Sequence, residues 1–154
     1  ADGGMLVIGH IGITPQSSAV MGGFKAQGNT AEAAKILLDD AVAIEEAGAA
    51  MLLVEGVPAE TGKIITEALS IQVMGIGAGI NTDGQLMIVS DMLGLFETFT
   101  PKFVKKYANH ANEIRIALQQ YINEVHEGKF PTSEYCYKMK TGEADKLKAM
   151  MMKS

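Results

Sequence analysis

Residues 51–58 read Met-Leu-Leu-Val-Glu-Gly-Val-Pro, and no other stretch limits the fold as much. Four consecutive apolar side chains, Met51 to Val54, leave no polar face for water, so the pattern predicts a strand buried on both sides. A helix stops at Gly48 just before it, and Pro58 opens another just after it. Glu55 stands at the carboxyl end of that strand, where α/β folds gather their chemistry. A carboxylate held among apolar groups loses hydration of its charged form, which suits it to accept a proton. The same residue could equally turn into solvent or pair with a lysine, and its position alone does not choose.

The rest of the chain supplies neighbours for this strand. Met5 to Ile8 is a short apolar run that leads into Gly9-His10-Ile11-Gly12, read as a buried strand whose end carries His10. A polar, turn-rich loop follows from Thr14 to Gly28, long enough to expect a functional or mobile role. Lys25 within it either orients an anion or is simply solvated. Asn29 or Thr30 caps a helix, with Glu32 available for a capping box. Leu37, Ala41, Ile44 and Gly48 share its inner face, while Asp39, Asp40, Glu45 and Glu46 read as a solvated surface and not a metal site. A helix from about Ala59 to Leu69 should bury Ile64, Ile65, Ala68 and Leu69. The strand Ile71 to Ile76 runs into Gly75-Ile-Gly-Ala-Gly79, which lacks the spacing of a dinucleotide fingerprint and reads first as tight strand-to-loop packing.

After a turn at Thr82-Asp83-Gly84, Gln85 to Val89 could be a last strand or a short helix. The strand is favoured, with Asp91 at its carboxyl end. Thr100-Pro101 has the form of a helix start, and Phe103, Tyr107, Ile114, Leu118, Tyr121 and Val125 would line one face as far as Gly128 and Pro131. Lys102, Lys105 and Lys106 would then lie in the first turns, the wrong end for the helix dipole. His110 and His126 have no partner at metal-ligand spacing and read as surface residues. The tail from Lys138 is polar and expected to be frayed. The order of elements defines an α/β fold with a parallel sheet.

Composition narrows the function classes. A length of 154 residues suits one domain with a real core. A net charge of −5 argues against a broad nucleic-acid surface. A single cysteine, Cys136, excludes an internal disulfide and fits a reducing compartment. No apolar run reaches membrane-spanning length and no signal peptide is visible, so the expectation is a cytoplasmic protein without a membrane partner.

Five stretches, in order, resemble the ketopantoate hydroxymethyltransferase family (3-methyl-2-oxobutanoate hydroxymethyltransferases). They are Gly9-His-Ile-Gly-Ile-Thr-Pro-Gln16, Gly22-Gly-Phe-Lys-Ala-Gln-Gly28, Leu53-Val-Glu-Gly-Val-Pro58, Ile76-Gly-Ala-Gly79 with Thr82-Asp-Gly-Gln85, and Thr100-Pro-Lys-Phe103. The resemblance implies a (β/α)8 barrel of the TIM type and a magnesium-dependent enzyme of pantothenate biosynthesis. It implies transfer of a one-carbon unit from 5,10-methylenetetrahydrofolate to 3-methyl-2-oxobutanoate, giving 2-dehydropantoate, by a homo-oligomer. The family's catalytic base matches Glu55 and its substrate-binding histidine matches His10. A barrel of this type takes roughly 250 residues, so the resemblance implies that residues 1–137 correspond to the C-terminal half and that residues 138–154 form an unrelated tail. The family's magnesium ligands, aspartates of the N-terminal half, have no match here. Ser90 stands before Asp91 where many relatives have histidine. Two alternatives compete with this reading: a non-catalytic half-barrel subunit that needs a companion chain, and a different keto-acid enzyme on a related barrel.

Overall fold

In the computed structural model, which describes residues 3–14 and 25–152, four parallel strands pair in the order in which they occur in the chain. They are β1 (Ile8–Gly12), β2 (Met51–Glu55), β3 (Gln72–Ile76) and the two-residue β4 (Gly84–Gln85). The helix α1 (Ala31–Glu46) joins β1 to β2, and α2 (Ala59–Ala68) joins β2 to β3. Parallel crossovers are right-handed, so a strand order that never reverses stacks both helices on the same face of the sheet. Doubly wound sheets reverse their order and cover both faces; the described strands wind in the single-sided way of a barrel wall.

The register shows which side chains meet those helices. Gly9 pairs with Leu52, Ile11 with Val54, and Leu52 with Val73. Ile11, Leu52, Val54 and Val73 form one core with Ala41 of α1 and Ile65 of α2. Each fully buried Leu, Ile or Val there contributes about 1.5–3 kcal/mol of hydrophobic stabilisation. The opposite face, with Ile8, His10, Leu53, Glu55 and Met74, carries no described helix, and Ile8 is 60% exposed.

Several boundaries differ from the sequence expectation. The apolar run at Met5 to Ile8 lies mostly ahead of β1, and Met5 and Leu6 are exposed. His10 therefore stands within the strand, two residues before its end. Thr30 caps α1 through its side chain, which accepts from the Ala33 N–H at 3.2 Å. That puts Ala33 where the carboxylate of a capping box belongs, so Glu32 cannot complete one. On α2 the buried stripe is Thr61, Gly62 and Ile65, while Ile64 is 51% exposed. Glu45 is not merely solvated: Oε1 accepts the backbone N–H groups of Ser70 and Ile71 at 2.7 and 3.0 Å, tying α1 to the start of β3.

The favoured strand from Gln85 to Val89 is replaced by the short β4 and a one-turn helix, α3 (Val89–Met92), which contains Ser90 and Asp91. Asp91 is thus a helix residue and not a strand-end carboxylate. No helix begins at Pro101. Residues 101–109 form turns, held by hydrogen bonds from Val104 N–H to the Pro101 carbonyl and from Tyr107 N–H to the Met92 carbonyl. The next helix, α4, runs from His110 to His126 with Glu113 in its first turn. An acid there suits the dipole, and the three lysines that would have opposed it lie outside the helix.

Residues His110–Ser154 form a second unit. Within it α4 buries no residue, and Ile114, Leu118, Tyr121 and Val125 of its expected inner face are exposed. Phe130 packs against the rings of Tyr121 and Tyr135, each 5.6 Å away between centroids. Where a frayed tail was expected, a helix, α5, spans Glu143–Met151, again without a buried residue. No helix among the described residues is long and apolar enough to cross a membrane.

Candidate active site

The carboxyl ends of β1, β2 and β3 are stitched together by backbone hydrogen bonds. Ile13 N–H donates to the Glu55 carbonyl, and Gly56 N–H donates to the Ile76 carbonyl, both at 2.8 Å. Gly12 makes the first of these contacts achievable. It has φ +89°, and a Cβ at this position would collide with the Glu55 carbonyl oxygen. Only glycine tolerates both conditions. The main chain of Glu55 is therefore held on both sides, and its side chain alone is free to work.

That side chain meets His10. Gly12 is the register partner of Glu55, and His10 that of Leu53, so His10 and Glu55 are diagonal neighbours on the helix-free face. The His10 Nε2 atom lies 3.2 Å from Glu55 Oε2. The two side chains are 27% and 16% exposed, respectively. The pair is close but does not align as a hydrogen bond, and Nε2 is buried with no hydrogen-bond partner. An unsatisfied buried ring nitrogen is costly, about 1–3 kcal/mol. Native proteins satisfy nearly all such atoms, with a protein group, an ordered water or a ligand. Of the two sequence readings of Glu55, the structure brings it beside the histidine, and no lysine pairs with it among the described residues.

The end of the long loop approaches the same place. Residues 15–24, including most of the Thr14-Pro-Gln16 and Gly22-to-Gly28 motifs, lie outside the described residues. Beyond them, Gln27 N–H donates to the Gly56 carbonyl at 3.0 Å. Thr61 Oγ donates to the Gly28 carbonyl at 2.9 Å. Lys25 is exposed. Thr61, the buried polar residue of the core region, escaped sequence reasoning because a hydroxyl within an apolar stripe looks like ordinary helix surface.

The glycines after β3 pack closely, as expected. A Cβ on Gly77, which has φ +66°, would stand 2.5 Å from the Phe103 ring, and one on Gly79 would meet Ala59. Phe103 and Tyr107 thus belong beside this turn and not on a helix. Asp91 lies in α3, and His110 and His126 lie at the two ends of α4. The described residues contain no group of three or more His, Cys, Asp or Glu able to hold a metal ion.

A parallel sheet wound in one direction, with a carboxylate at the carboxyl end of one strand beside an imidazole of its neighbour, is an α/β arrangement with the parts for acid–base chemistry. The sequence pattern of the family described as ketopantoate hydroxymethyltransferase matches residues 1–133. The chain belongs to that family. It is 50% identical over 141 residues to a 3-methyl-2-oxobutanoate hydroxymethyltransferase of Clostridium beijerinckii, covering 92% of this chain and 51% of the relative. For the proteins of the same name from Clostridium kluyveri and Syntrophobacter fumaroxidans the identities are 53% over 140 residues and 48% over 149. These alignments cover 91% and 97% of this chain, and 50% and 53% of those relatives. The chain therefore spans about half the length of the curated relatives it matches.

Proposed function

We propose that this chain is the C-terminal half of a (β/α)8 barrel that transfers a hydroxymethyl group from 5,10-methylenetetrahydrofolate to 3-methyl-2-oxobutanoate, giving 2-dehydropantoate. The observation that carries the reading is the pairing of Glu55 with the unsatisfied Nε2 of His10 in a chain of this family. The carbon beside a ketone is a weak acid. Glu55 takes the proton from C3 of the keto acid, and the C–H electron pair passes into the enolate. His10, through Nε2–H, donates to a substrate oxygen and holds the acid in register. Water releases the one-carbon unit as formaldehyde, both C–N bonds of the methylene bridge breaking and tetrahydrofolate leaving with its two nitrogens protonated. The enolate carbon then adds to the formaldehyde carbon, and the proton held by Glu55 passes to the alkoxide oxygen to give the hydroxymethyl group. The half-buried setting limits competing water around the carboxylate.

The magnesium ion implied by the family resemblance finds no ligand set among the described residues. On this reading its ligands belong to the part of the barrel this chain does not span, and no step given above passes through it. The same reading includes a cytoplasmic homo-oligomer without nucleic-acid or membrane partners.

The test is deuterium exchange at C3 of 3-methyl-2-oxobutanoate, followed in a barrel completed with its remaining strands. Exchange should proceed in the wild type and fall by about 10²–10⁴-fold in Glu55→Gln, which keeps the shape but cannot take the proton. Exchange at the wild-type rate in Glu55→Gln would end the assignment.

A further inference from the structure

The residue after Glu55 belongs to a closed circuit of hydrogen bonds that the chemistry above does not use. Residues 27–28 and 56–61 are joined at both ends. Gln27 N–H donates to the Gly56 carbonyl at 3.0 Å, and Thr61 Oγ donates to the Gly28 carbonyl at 2.9 Å. The chain itself closes the other two sides, from Gln27 to Gly28 and from Gly56 through Pro58 into the first turn of α2.

We propose that Thr61 is a positioning residue for the proton transfer. Through this circuit it fixes the turn that follows Glu55, and so the place from which the carboxylate meets the C3–H of the keto acid. The proposal rests on the reading under "Proposed function" and adds how the base is aimed.

Three successive backbone groups behind the Glu55 side chain are held by three different segments. The Glu55 carbonyl accepts from Ile13 N–H, Gly56 N–H donates to the Ile76 carbonyl, and the Gly56 carbonyl accepts from Gln27 N–H. Ile13 directly follows β1 and Ile76 ends β3, so the sheet fixes the first two partners. Residues 25–28 belong to no helix or strand, so the third partner needs an anchor of its own. Gln27 Nε2 donates to the Lys25 carbonyl at 2.8 Å, which ties the segment only to itself. The Thr61 hydroxyl ties it to α2. Gly56 has φ +60°, so the chain turns sharply just after the base, and slack at the Gly56 carbonyl passes directly to the Glu55 peptide.

Burial strengthens the anchor. Thr61 is 5% exposed, and water does not compete for its hydrogen bond. A Cβ on Gly28 would stand 2.7 Å from Leu37 Cδ1 and 3.2 Å from Thr61 Cγ2, so this segment is wedged between α1 and α2. His10 lies outside the circuit, on β1. Contact of its Nε2 with the substrate therefore does not pass through Thr61. Loss of the anchor should slow the chemical step and leave keto-acid binding alone. A misplacement of about 1 Å costs roughly 10²-fold, and a turn that is loosened but not displaced should cost about tenfold.

The experiment follows deuterium exchange at C3 of 3-methyl-2-oxobutanoate in the completed barrel, over a range of keto-acid concentrations. Thr61→Val should slow exchange at saturation by about tenfold with the half-saturating concentration unchanged, and Thr61→Ser should restore the rate. Glu45→Ala weakens the fold at a site outside the circuit and should exchange as the wild type does. Wild-type exchange in Thr61→Val would overturn the proposal. So would an equal slowing in Glu45→Ala, which would trace the effect to stability, or a change confined to half-saturation, which would assign Thr61 to substrate binding. Where melts show that Thr61→Val does not fold, Thr61→Cys replaces it. Its thiol is a weak donor, so it should exchange more slowly than Thr61→Ser, and equal rates would overturn the proposal. Glu55→Gln is measured alongside. Slow exchange there with an unaffected Thr61→Val would sink the positioning role and leave the base standing, whereas wild-type exchange in Glu55→Gln would end the reading of the base itself.

Discussion

Thr61 Oγ donates a 2.9 Å hydrogen bond to the carbonyl oxygen of Gly28, between two buried residues 33 positions apart. It fastens the end of the long loop to α2, beside the backbone that carries Glu55. Thr61→Val keeps the shape but leaves the Gly28 carbonyl buried without a partner. The expected loss is about 1–3 kcal/mol of stability, read as a lower midpoint in urea unfolding. Thr61→Ser restores the hydroxyl and should recover most of the loss. Equal loss in both variants would show that the methyl packing, not the hydrogen bond, holds the loop.

A second prediction follows from the orphaned nitrogen of His10. His10→Leu removes an unsatisfied buried atom, so stability should rise by about 1–2 kcal/mol, while binding of 3-methyl-2-oxobutanoate by the completed barrel is lost. The two readouts are urea unfolding and calorimetric titration with the keto acid. His10→Leu that binds the keto acid as tightly as the wild type would remove His10 from the site.

Glu45 offers a third test, on stability alone. Its carboxylate accepts two backbone N–H groups at the α2–β3 junction. It is partly exposed, so Glu45→Ala should cost about 1 kcal/mol once solvent screening is allowed for. Glu45→Gln, which keeps an acceptor oxygen, should cost less. Asp40→Ala, at an exposed position on the same helix, should change the unfolding midpoint hardly at all. A comparable fall for Asp40→Ala would mean that helix charge, and not the clamp, is what matters.

The sheet could be read from the sequence because buried parallel strands carry unbroken apolar runs. Met51–Val54 and the run ending at Ile76 did so, and the helices between them kept a clear inner face at Ala41 and Ile65. The features that escaped reading depend on contacts distant in sequence. Pro101 suggested a helix, but Phe103 packs on Gly77 and Tyr107 bonds to Met92, and these contacts hold the segment in turns. The misplaced lysines were a visible sign of that error, since a helix starting at Pro101 would have set three cations against its dipole. For β4, a run of apolar residues suggested a strand longer than two residues, but Val89 already begins a helix. In the site, Glu55 and His10 were legible as separate strand residues. That they face each other depends on register, and register pairs Gly12 with Glu55 only once both strands are laid side by side. Thr61 gave no local signal, because its role comes from a carbonyl 33 residues away.

The last prediction concerns the face that α1 and α2 leave uncovered. Parallel sheets are stable when both faces are covered. Here Ile8, His10, Leu53, Glu55 and Met74 share a face with no described helix on it, and among the described residues β1 and β4 each pair with one strand. An open edge presents unpaired N–H and C=O groups, and apolar side chains next to it favour association. The 154-residue chain alone should therefore run in sedimentation and light scattering as species heavier than its 16.4 kDa mass. Ile8→Lys, a charge on the exposed edge strand, should shift that distribution toward monomer, as edge lysines do in natural sheets. Adding the family's N-terminal strands as a separate chain should compete with self-association and yield a defined complex. A clean monomer at tens of micromolar that also catalyses hydroxymethyl transfer would refute both the open-face argument and the half-barrel reading.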